Sequence, residues 1–356
     1  MARRHVASAW SGGFLDPVPN AGRPRPGWVR CLIHLAGVLA AALPVTAAAQ
    51  PGGSPRIGLL AFWPCDPAAY AQGAGEFGPL MKGLEELGYQ AGQDLSFDCR
   101  SADLDQDRFK AAATELAGLA VDVIVTTSQP AGQVAHEVTR TIPIVSVVSG
   151  DPVAAGLAQS LARPGGNLTG VSYYATELTA KRLELLREAI PQPSPLGVLS
   201  NPDVAYLPFE EDTKQAARQF GIDLKIHHVA KPAGFEAAYR QMAAEGVRAV
   251  FVLPDLMFAA EAERIARLAL THRLPVMAWG FWFAQLGCLM AYSADYGVMQ
   301  HRLAFYVDRI LKGADPGDLP IEQPSNFYLT VNLATAKALG IALPESILLL
   351  ADEVIE

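Results

Sequence analysis

The chain has 356 residues, of which 51% are hydrophobic and 18% are charged, and its formal net charge is −8. This length exceeds the usual size of one domain and predicts two cores, while the apolar content excludes disordered and fibrous proteins. The acidic balance argues against nucleic acid or an anionic membrane as a partner.

The N-terminal segment has the pattern of a secretory signal peptide. An apolar run at residues 31–43 follows Arg25 and Arg30 and leads to Ala47-Ala48-Ala49, an A-x-A cleavage site. The run is short for a membrane span, and no later stretch approaches the roughly 20 apolar residues of a transmembrane helix. We therefore expect residues 1–49 to be a signal peptide and the rest to be periplasmic; a buried N-terminal helix is the alternative. The long, irregular stretch before the apolar run leaves an internal start open.

Three cysteines remain once Cys31 leaves with the leader, namely Cys65, Cys99 and Cys288. An odd number in an oxidising compartment allows either one disulfide with a free thiol or three buried thiols. Of these alternatives, we favour three buried thiols.

From residue 56 onward, short β-branched runs alternate with amphipathic helices, which is typical of a parallel sheet wound by helices. In the first half, strands are predicted at 56–62, 95–99, 122–127 and 142–148. A helix is predicted from Phe77 to Leu87, because apolar side chains recur at helical spacing and Gly88 supplies a C-cap. A second helix is predicted over 106–119.

The same order returns in the second half of the chain. Strands are predicted there at 196–200, 223–229, 248–253 and 274–279, and helices at 212–220, 235–244 and 260–272. Residues 120–125 match 246–251 in pattern, and residues 141–145 match 273–277. Since the halves look like duplicated units, we predict an α/β fold with two doubly wound parallel-sheet lobes.

Doubly wound lobes place their ligand loops at the carboxyl ends of the strands. In this chain those loops lie at 62–66, 127–131, 149–151, 200–206, 254–258 and 279–283. The functional site is therefore expected in a cleft between the lobes.

Several polar residues in these loops are candidate ligand contacts. Thr127, Ser128 and Gln129 offer hydroxyls and an amide at a strand end, which suits a carboxylate or amine bound without a formal countercharge. Asp151 follows a strand of the first half, and its carboxylate is placed to receive a ligand ammonium. Asp255 follows a strand of the second half and is expected to face the cleft from the opposite side. Helix capping is the alternative role for these side chains, and for Asp151 a hinge contact is a further alternative.

Aromatic residues cluster in the same loops and are expected to sandwich a flat or apolar ligand. They are Trp63, Tyr173, Tyr206, Trp279 and Phe281. Burial in the core is the alternative for each. In this scheme the polar side chains of the first lobe fix the polar head of the ligand, and the rings of the second lobe cover its body.

The sequence lacks the common catalytic motifs. It has no G-x-S-x-G elbow, no Walker loop, no H-E-x-x-H and no C-x-x-C. The adjacent His227 and His228 would point to opposite faces of a strand and cannot easily chelate one metal. We therefore expect no enzyme activity, no catalytic residue, no metal site and no cofactor; an exported hydrolase is a weaker alternative.

Four segments carry a resemblance to a known family. Residues 150–157, 162–172, 332–340 and 351–356 read GDPVAAGL, ARPGGNLTGVS, NLATAKALG and ADEVIE. Together they resemble the ABC-transporter substrate-binding family related to tryptophan/tyrosine-binding proteins, and the resemblance covers essentially the whole chain after the leader.

The resemblance implies a type I periplasmic-binding-protein fold with three crossovers between the lobes, near 170–173, 289–293 and 325–330. Lobe 1 would comprise 55–171 plus 291–325, and lobe 2 would comprise 172–290 plus 326–356. Two departures leave the ligand open. The first loop, Trp63-Pro64-Cys65, is unusually aromatic and contains a cysteine, and Gln129 stands where relatives often carry Thr.

The expected function is that of an extracytoplasmic solute-binding protein. It would hold a small molecule, an amino acid or an aromatic carboxylate, and hand it to an ABC permease with its ATPase subunits. The protein would contact the membrane only through the permease, and nucleic acid is not expected as a partner. A ligand-sensing domain for a signalling receptor is the alternative, because both kinds of protein present the same closing lobes.

Overall fold

The structure is a computed structural model that describes residues 54–173, 176–204 and 208–356. The predicted signal peptide, with Cys31, and the candidate Tyr206 lie outside the described residues. The strands are β1 Arg56–Ala61, β2 Ser96–Ser101, β3 Val123–Thr126, β4 Ile144–Val148, β5 Leu168–Ser172, β6 Leu196–Ser200, β7 Leu224–His228, β8 Ala249–Val252, β9 Val276–Ala278, β10 Met290–Ala294, β11 Phe327–Asn332 and β12 Glu353–Ile355.

The helices alternate with these strands along most of the chain. They are α1 Pro67–Ala71, α2 Gly78–Glu86, α3 Phe109–Gly118, α4 Gln129–Val138, α5 Thr176–Ala189, α6 Phe209–Phe220, α7 Phe235–Ala244, α8 Leu256–Ala260, α9 Ala262–Thr271, α10 Phe281–Gln285, α11 Tyr296–Leu311, α12 Leu333–Leu339 and α13 Glu345–Leu350. In the described part of the chain, no helix has the length and apolar character needed to cross a bilayer.

The described strands form two sheets, each the centre of one lobe. The first has the order β2-β1-β3-β4-β5 and is parallel throughout. The second has the order β12-β11-β10-β9-β8-β6-β7 and is parallel except where β10 meets β11. The predicted fold class, two parallel-sheet lobes of α/β type, is confirmed.

Burial explains why the central strands read as continuous apolar runs. Every residue of β3, β4 and β8 is buried, as expected for parallel strands covered by helices on both faces. At the edge of the first sheet, Gly170 of β5 has φ 139°, and a Cβ there would lie 2.0 Å from the carbonyl oxygen of Ser146. Only glycine allows β5 to approach β4 this closely.

Three connections join the two sheets. The first runs from β5 to α5. The second follows Ala294, because β10 belongs to the second sheet whereas α11 packs on α2, β4 and β5 of the first lobe. It therefore comes after the expected position, 289–293, and residues 291–294 lie in the second sheet rather than in the first lobe. The third runs from α11 to β11, and on its way Glu322 pairs with β5 through Ser172 N–H donating to Glu322 O at 2.7 Å.

The preference for three buried thiols is wrong, because Cys65 and Cys99 form a disulfide. Cys65 lies in the loop after β1, and Cys99 lies on β2, the parallel neighbour of β1, so the sheet brings the two side chains together. Cys288 is a buried free thiol. The alternative left open by the odd count, one disulfide and one free thiol, is the arrangement found.

Candidate functional site

The carboxyl ends of strands from both sheets face one cavity, which has a volume of about 30 Å³. Ser128, Ser149 and Tyr173 follow β3, β4 and β5, while Asp255 and Trp279 follow β8 and β9. Parallel strands end at the same edge of a sheet, which is why loops so distant in sequence meet here. The full lining is Gln106, Ser128, Pro130, Ser149, Tyr173, Pro254, Asp255, Leu256, Trp279 and Tyr296.

Aromatic rings form one side of this cleft cavity. Tyr173 and Trp279 are parallel, with ring centroids 6.4 Å apart and an interplanar angle of 4°. Tyr296, the first residue of α11, meets Tyr173 edge-on at 6.2 Å. The indole N–H of Trp279 is buried and has no hydrogen-bond partner among the described residues. The rings thus offer a flat apolar surface to a ligand, and the Trp279 N–H can donate a hydrogen bond to an acceptor atom of that ligand.

Asp255 supplies the carboxylate in this lining. It caps α8 by accepting from Phe258 N–H at 2.9 Å, and it accepts from Asn201 Nδ2 at 2.9 Å. Burial raises the pKa of the Asp255 carboxyl, and the hydrogen bonds from Phe258 and Asn201 act in the opposite direction. Among the described residues, no Lys, Arg or His side chain forms an ion pair with Asp255. The buried carboxylate is therefore favourably placed to receive a ligand ammonium.

Contacts between the lobes hold the cleft closed. The side chain of Gln106, in a 3-10 turn of the first lobe, lies close enough to Asp255 of the second lobe to lower the pKa of its carboxyl. Leu256, which follows Asp255, packs against the first-lobe core cluster that contains Phe62 and Phe109. At about 30 Å³ the cavity has room for little more than water. A ligand of amino-acid size therefore enters only when the lobes move apart.

Glu76 lies directly behind the first-lobe wall of the cleft. Its carboxylate accepts from Phe62 N–H at 3.0 Å, Trp63 N–H at 3.2 Å and Thr127 Oγ1 at 2.6 Å. Burial raises the pKa of Glu76 to about 7, although these three hydrogen bonds lower it. The carboxylate thus ties the loop after β1 to the loop after β3, where Ser128 lines the cavity.

Thr127 and Gln129 are buried beside the cavity and bond to the protein, although the Nε2 of Gln129 has no hydrogen-bond partner among the described residues. The Thr127 hydroxyl donates to Glu76, and its carbonyl oxygen accepts from the Tyr296 hydroxyl. Gln129 Oε1 accepts from Gly150 N–H, which ties the loop after β3 to the loop after β4. Neither residue lines the cavity. Ser128 does line it, and it also caps α4.

Three further predicted site residues, Asp151, Trp63 and Phe281, lie outside the lining. Asp151 caps a turn by accepting from Val153 N–H at 2.8 Å. Trp63 is half-buried and packs edge-on against Phe62, and Phe281 is the first residue of α10. Of the predicted residues, the structure therefore brings together Ser128, Tyr173, Asp255 and Trp279.

Sequence reasoning missed Gln106, Ser149, Tyr296 and Glu76. Ser149 belongs to a loop already singled out, so the strand-end rule alone would have found it. Tyr296 could have been suspected from its place at the start of a long helix just after a strand. Glu76 has a weaker signal, a lone acidic residue between Gly75 and Phe77.

Metal-binding clusters of three or more His, Cys, Asp or Glu side chains are not found within 54–173, 176–204 and 208–356.

Comparisons with known proteins agree with this architecture. A tyrosine-binding protein of Clostridioides difficile strain R20291 is 25% identical over 272 residues, which cover 73% of this chain and 75% of that protein. A conserved domain protein from Vibrio cholerae O1 biovar El Tor superposes with a TM-score of 0.77 at 28% identity, over 85% of this chain and 100% of that one. An ABC domain in complex with L-Trp from Streptococcus pneumonia gives 0.76 at 24% identity, with the same coverage, which shows the shared fold.

A profile of the ABC transporter substrate binding protein family matches residues 67–355. This match spans most of the chain, including the whole second sheet and every strand of the first sheet except β1. The chain therefore belongs to the ABC transporter substrate binding protein family.

Proposed function

We propose that this protein binds an amino acid with an aromatic side chain in the cleft between its lobes and delivers it, chemically unchanged, to an ABC permease outside the cytoplasm. The observation that carries the proposal is the combination of one buried carboxylate, Asp255, with the facing rings of Tyr173, Trp279 and Tyr296 in a single cavity. Asp255 would receive the ammonium group, and the rings would cover the side chain.

The remaining polar groups fit the carboxylate end of such a ligand. Ser128 and Ser149 supply hydroxyls from the first lobe, and the Trp279 indole supplies an N–H from the second. A carboxylic acid without an amine would bring its negative charge towards Asp255 and receive no compensating ammonium. The lining therefore favours an amino acid over a simple aromatic carboxylate. The relative described as tyrosine-binding and the fold relative with bound L-Trp support the same class.

Calorimetry with matched ligands tests the binding role. L-tyrosine, L-tryptophan and L-phenylalanine should bind, whereas 4-hydroxyphenyllactate, which replaces the ammonium of tyrosine with a hydroxyl, should bind at least about ten-fold more weakly. Equal affinity for tyrosine and 4-hydroxyphenyllactate would remove Asp255 from the proposed role. Failure of all aromatic amino acids to bind would contradict the ligand class.

Uptake of labelled L-tyrosine by cells with and without the gene tests delivery. A transport protein should lower uptake when it is deleted, whereas a ligand sensor for a signalling receptor would leave the initial uptake rate unchanged.

A further inference from the structure

A second cavity, of about 780 Å³, lies within the first lobe between helices α1 and α2 and strands β1 and β2. It shares no lining residue with the cleft cavity. Its volume falls in the range of roughly 300–1,000 Å³ that small-molecule sites occupy. The first lobe thus contains a space of ligand size that the function of the cleft does not use.

The interior of this first-lobe cavity is apolar and its rim is polar. Leu59, Leu84 and Leu95 are buried and form part of its wall, beside the Cys65–Cys99 disulfide. The exposed side chains of Lys82 and Glu85 lie at its rim. Because these two charges have opposite signs, the rim selects neither an anion nor a cation.

Tyr70 is a buried polar residue in the wall of this apolar space. Its side chain lines the cavity and is only 3% exposed, and its hydroxyl has no hydrogen-bond acceptor among the described residues. Its ring is held edge-on against Phe77, with centroids 5.5 Å apart. Burial raises the pKa of the Tyr70 phenol, so the hydroxyl keeps its proton. Buried hydroxyls in proteins are normally paired, and a ligand oxygen at this position would supply the partner.

We propose that the first-lobe cavity is a second ligand site, which takes a neutral, mostly apolar small molecule with one acceptor oxygen, such as a ketone, for the Tyr70 hydroxyl. The proposal does not depend on the function of the cleft, because the two linings are separate.

Benzophenone tests the site, since it is neutral, apolar and carries one ketone oxygen. Diphenylmethane has a similar shape without the oxygen. Both are titrated against the full-length protein, and irradiation of bound benzophenone followed by peptide mapping locates the site. We expect saturable binding of benzophenone and adducts in peptides that contain residues 65–99. Absence of saturable binding, or adducts confined to peptides with Tyr173 or Trp279, would overturn the proposal.

Two substitutions on or next to α2 provide a matched pair. Met81→Trp adds a ring at a half-buried lining position, whereas Leu87→Trp adds the same ring at a position that is 46% exposed and outside the lining. Benzophenone binding should weaken at least about ten-fold in Met81→Trp and stay unchanged in Leu87→Trp, while L-tyrosine titrations of both variants should match the wild type. Equal benzophenone affinities in the two variants would show that the probe binds elsewhere.

Tyr70→Phe isolates the hydroxyl without filling the cavity. Loss of one neutral hydrogen bond should weaken benzophenone binding about three- to ten-fold and leave diphenylmethane binding unchanged. The melting temperature should not fall, because the variant removes a buried donor that lacks an acceptor. A parallel loss for both probes would show that Tyr70 acts only through packing, which contradicts the proposed hydrogen bond.

Discussion

The carboxylate of Asp255 has two roles, a hydrogen-bonded helix cap and the proposed partner of the ligand ammonium. A substitution can remove the second role and keep the first. Its carboxylate caps α8 and accepts from Asn201, and asparagine can keep the cap because its side-chain oxygen accepts the same N–H of Phe258. Asp255→Asn should therefore fold but bind an aromatic amino acid about ten- to a hundred-fold more weakly, because a charge-assisted hydrogen bond contributes roughly 1.5–3 kcal/mol. Calorimetry with L-tyrosine measures the change.

Asp151→Asn is the matched control for that experiment. Asp151 caps a turn outside the cavity lining, and asparagine is also a good turn cap, so tyrosine affinity should change less than about two-fold. A loss at Asp151 as large as the loss at Asp255 would place the polar head of the ligand on the first lobe, as the sequence suggested.

The raised pKa of Glu76 makes the free energy of unfolding depend on pH, and it fixes the direction of that dependence. The pKa rises from the ordinary 4.5 to about 7, so the folded state holds this proton more tightly than the unfolded chain does. The resulting stabilisation is present below pH 4.5 and is lost as the pH rises through about 7. The loss should be roughly 2–3 kcal/mol after allowance for solvent screening.

Glu76→Gln should remove this contribution. Urea denaturation at pH 5, 6, 7 and 8 gives the free energy of unfolding of each protein, and the difference between wild type and variant should shift in favour of the variant as the pH rises. Glu263→Gln, at an exposed position on α9, is the control and should follow the wild type. A wild-type minus Glu76→Gln difference that is flat over this range would contradict the raised pKa.

The strand-end rule explains which site residues could be predicted from sequence. Ser128, Tyr173, Asp255 and Trp279 each follow a strand and line the cleft cavity. Gln106 was missed because it lies in a turn after the edge strand β2, and the loop after β2 was not among the predicted ligand loops. Residues that follow a strand but bond to the protein, such as Gln129, have the same local sequence signal as ligand contacts. Only the hydrogen bonds seen in the folded structure distinguish residues that line the cavity from residues that bond to the protein.

At the scale of elements, the disulfide between the loop after β1 and strand β2 strengthens the edge of the first sheet. It closes a loop of 34 residues that contains α1, Glu76 and α2. A cross-link over a loop of this size typically adds about 2–4 kcal/mol to the free energy of unfolding. The double variant Cys65→Ser/Cys99→Ser should be destabilised by that amount in urea denaturation.

Reduction provides the control for that comparison. Dithiothreitol should lower the urea midpoint of the wild type towards that of the double variant and should leave the double variant unaffected. An equal response of the two proteins to the reductant would show that the cross-link contributes no stability.

Buried parallel strands were the most predictable elements and the connecting strands the least. The apolar runs at 122–127, 142–148 and 248–253 predicted β3, β4 and β8, because strands covered on both faces need apolar side chains throughout. Strand β10 was taken as a crossover on the strength of the family resemblance, and its short run Met290–Ala294 gives no local sign of an antiparallel partner. That partner, β11, comes later in the chain, after α11, which packs on the other lobe.

At the scale of the whole molecule, the lobes meet across the cleft and are joined by three connections. The approach of Gln106 to Asp255 and the packing of Leu256 on the first-lobe core are contacts between the lobes. Because the cavity of about 30 Å³ cannot admit an amino acid, binding requires opening followed by closure about the connections. The closed arrangement is therefore one member of an equilibrium that the ligand shifts.

Leu256 is placed to set that equilibrium, since its apolar contact with the other lobe exists only when the cleft is closed. Leu256→Ser should populate the open form, raise the radius of gyration without ligand, and weaken tyrosine binding in proportion to the lost closed fraction. Leu270→Ser changes a 36% exposed leucine of α9 on the second lobe and should change neither quantity. Small-angle scattering with and without saturating L-tyrosine measures compaction, and calorimetry measures affinity. Wild-type profiles that are identical in both states would rule out hinge closure on ligand binding, because closure must shorten the distances between the lobes.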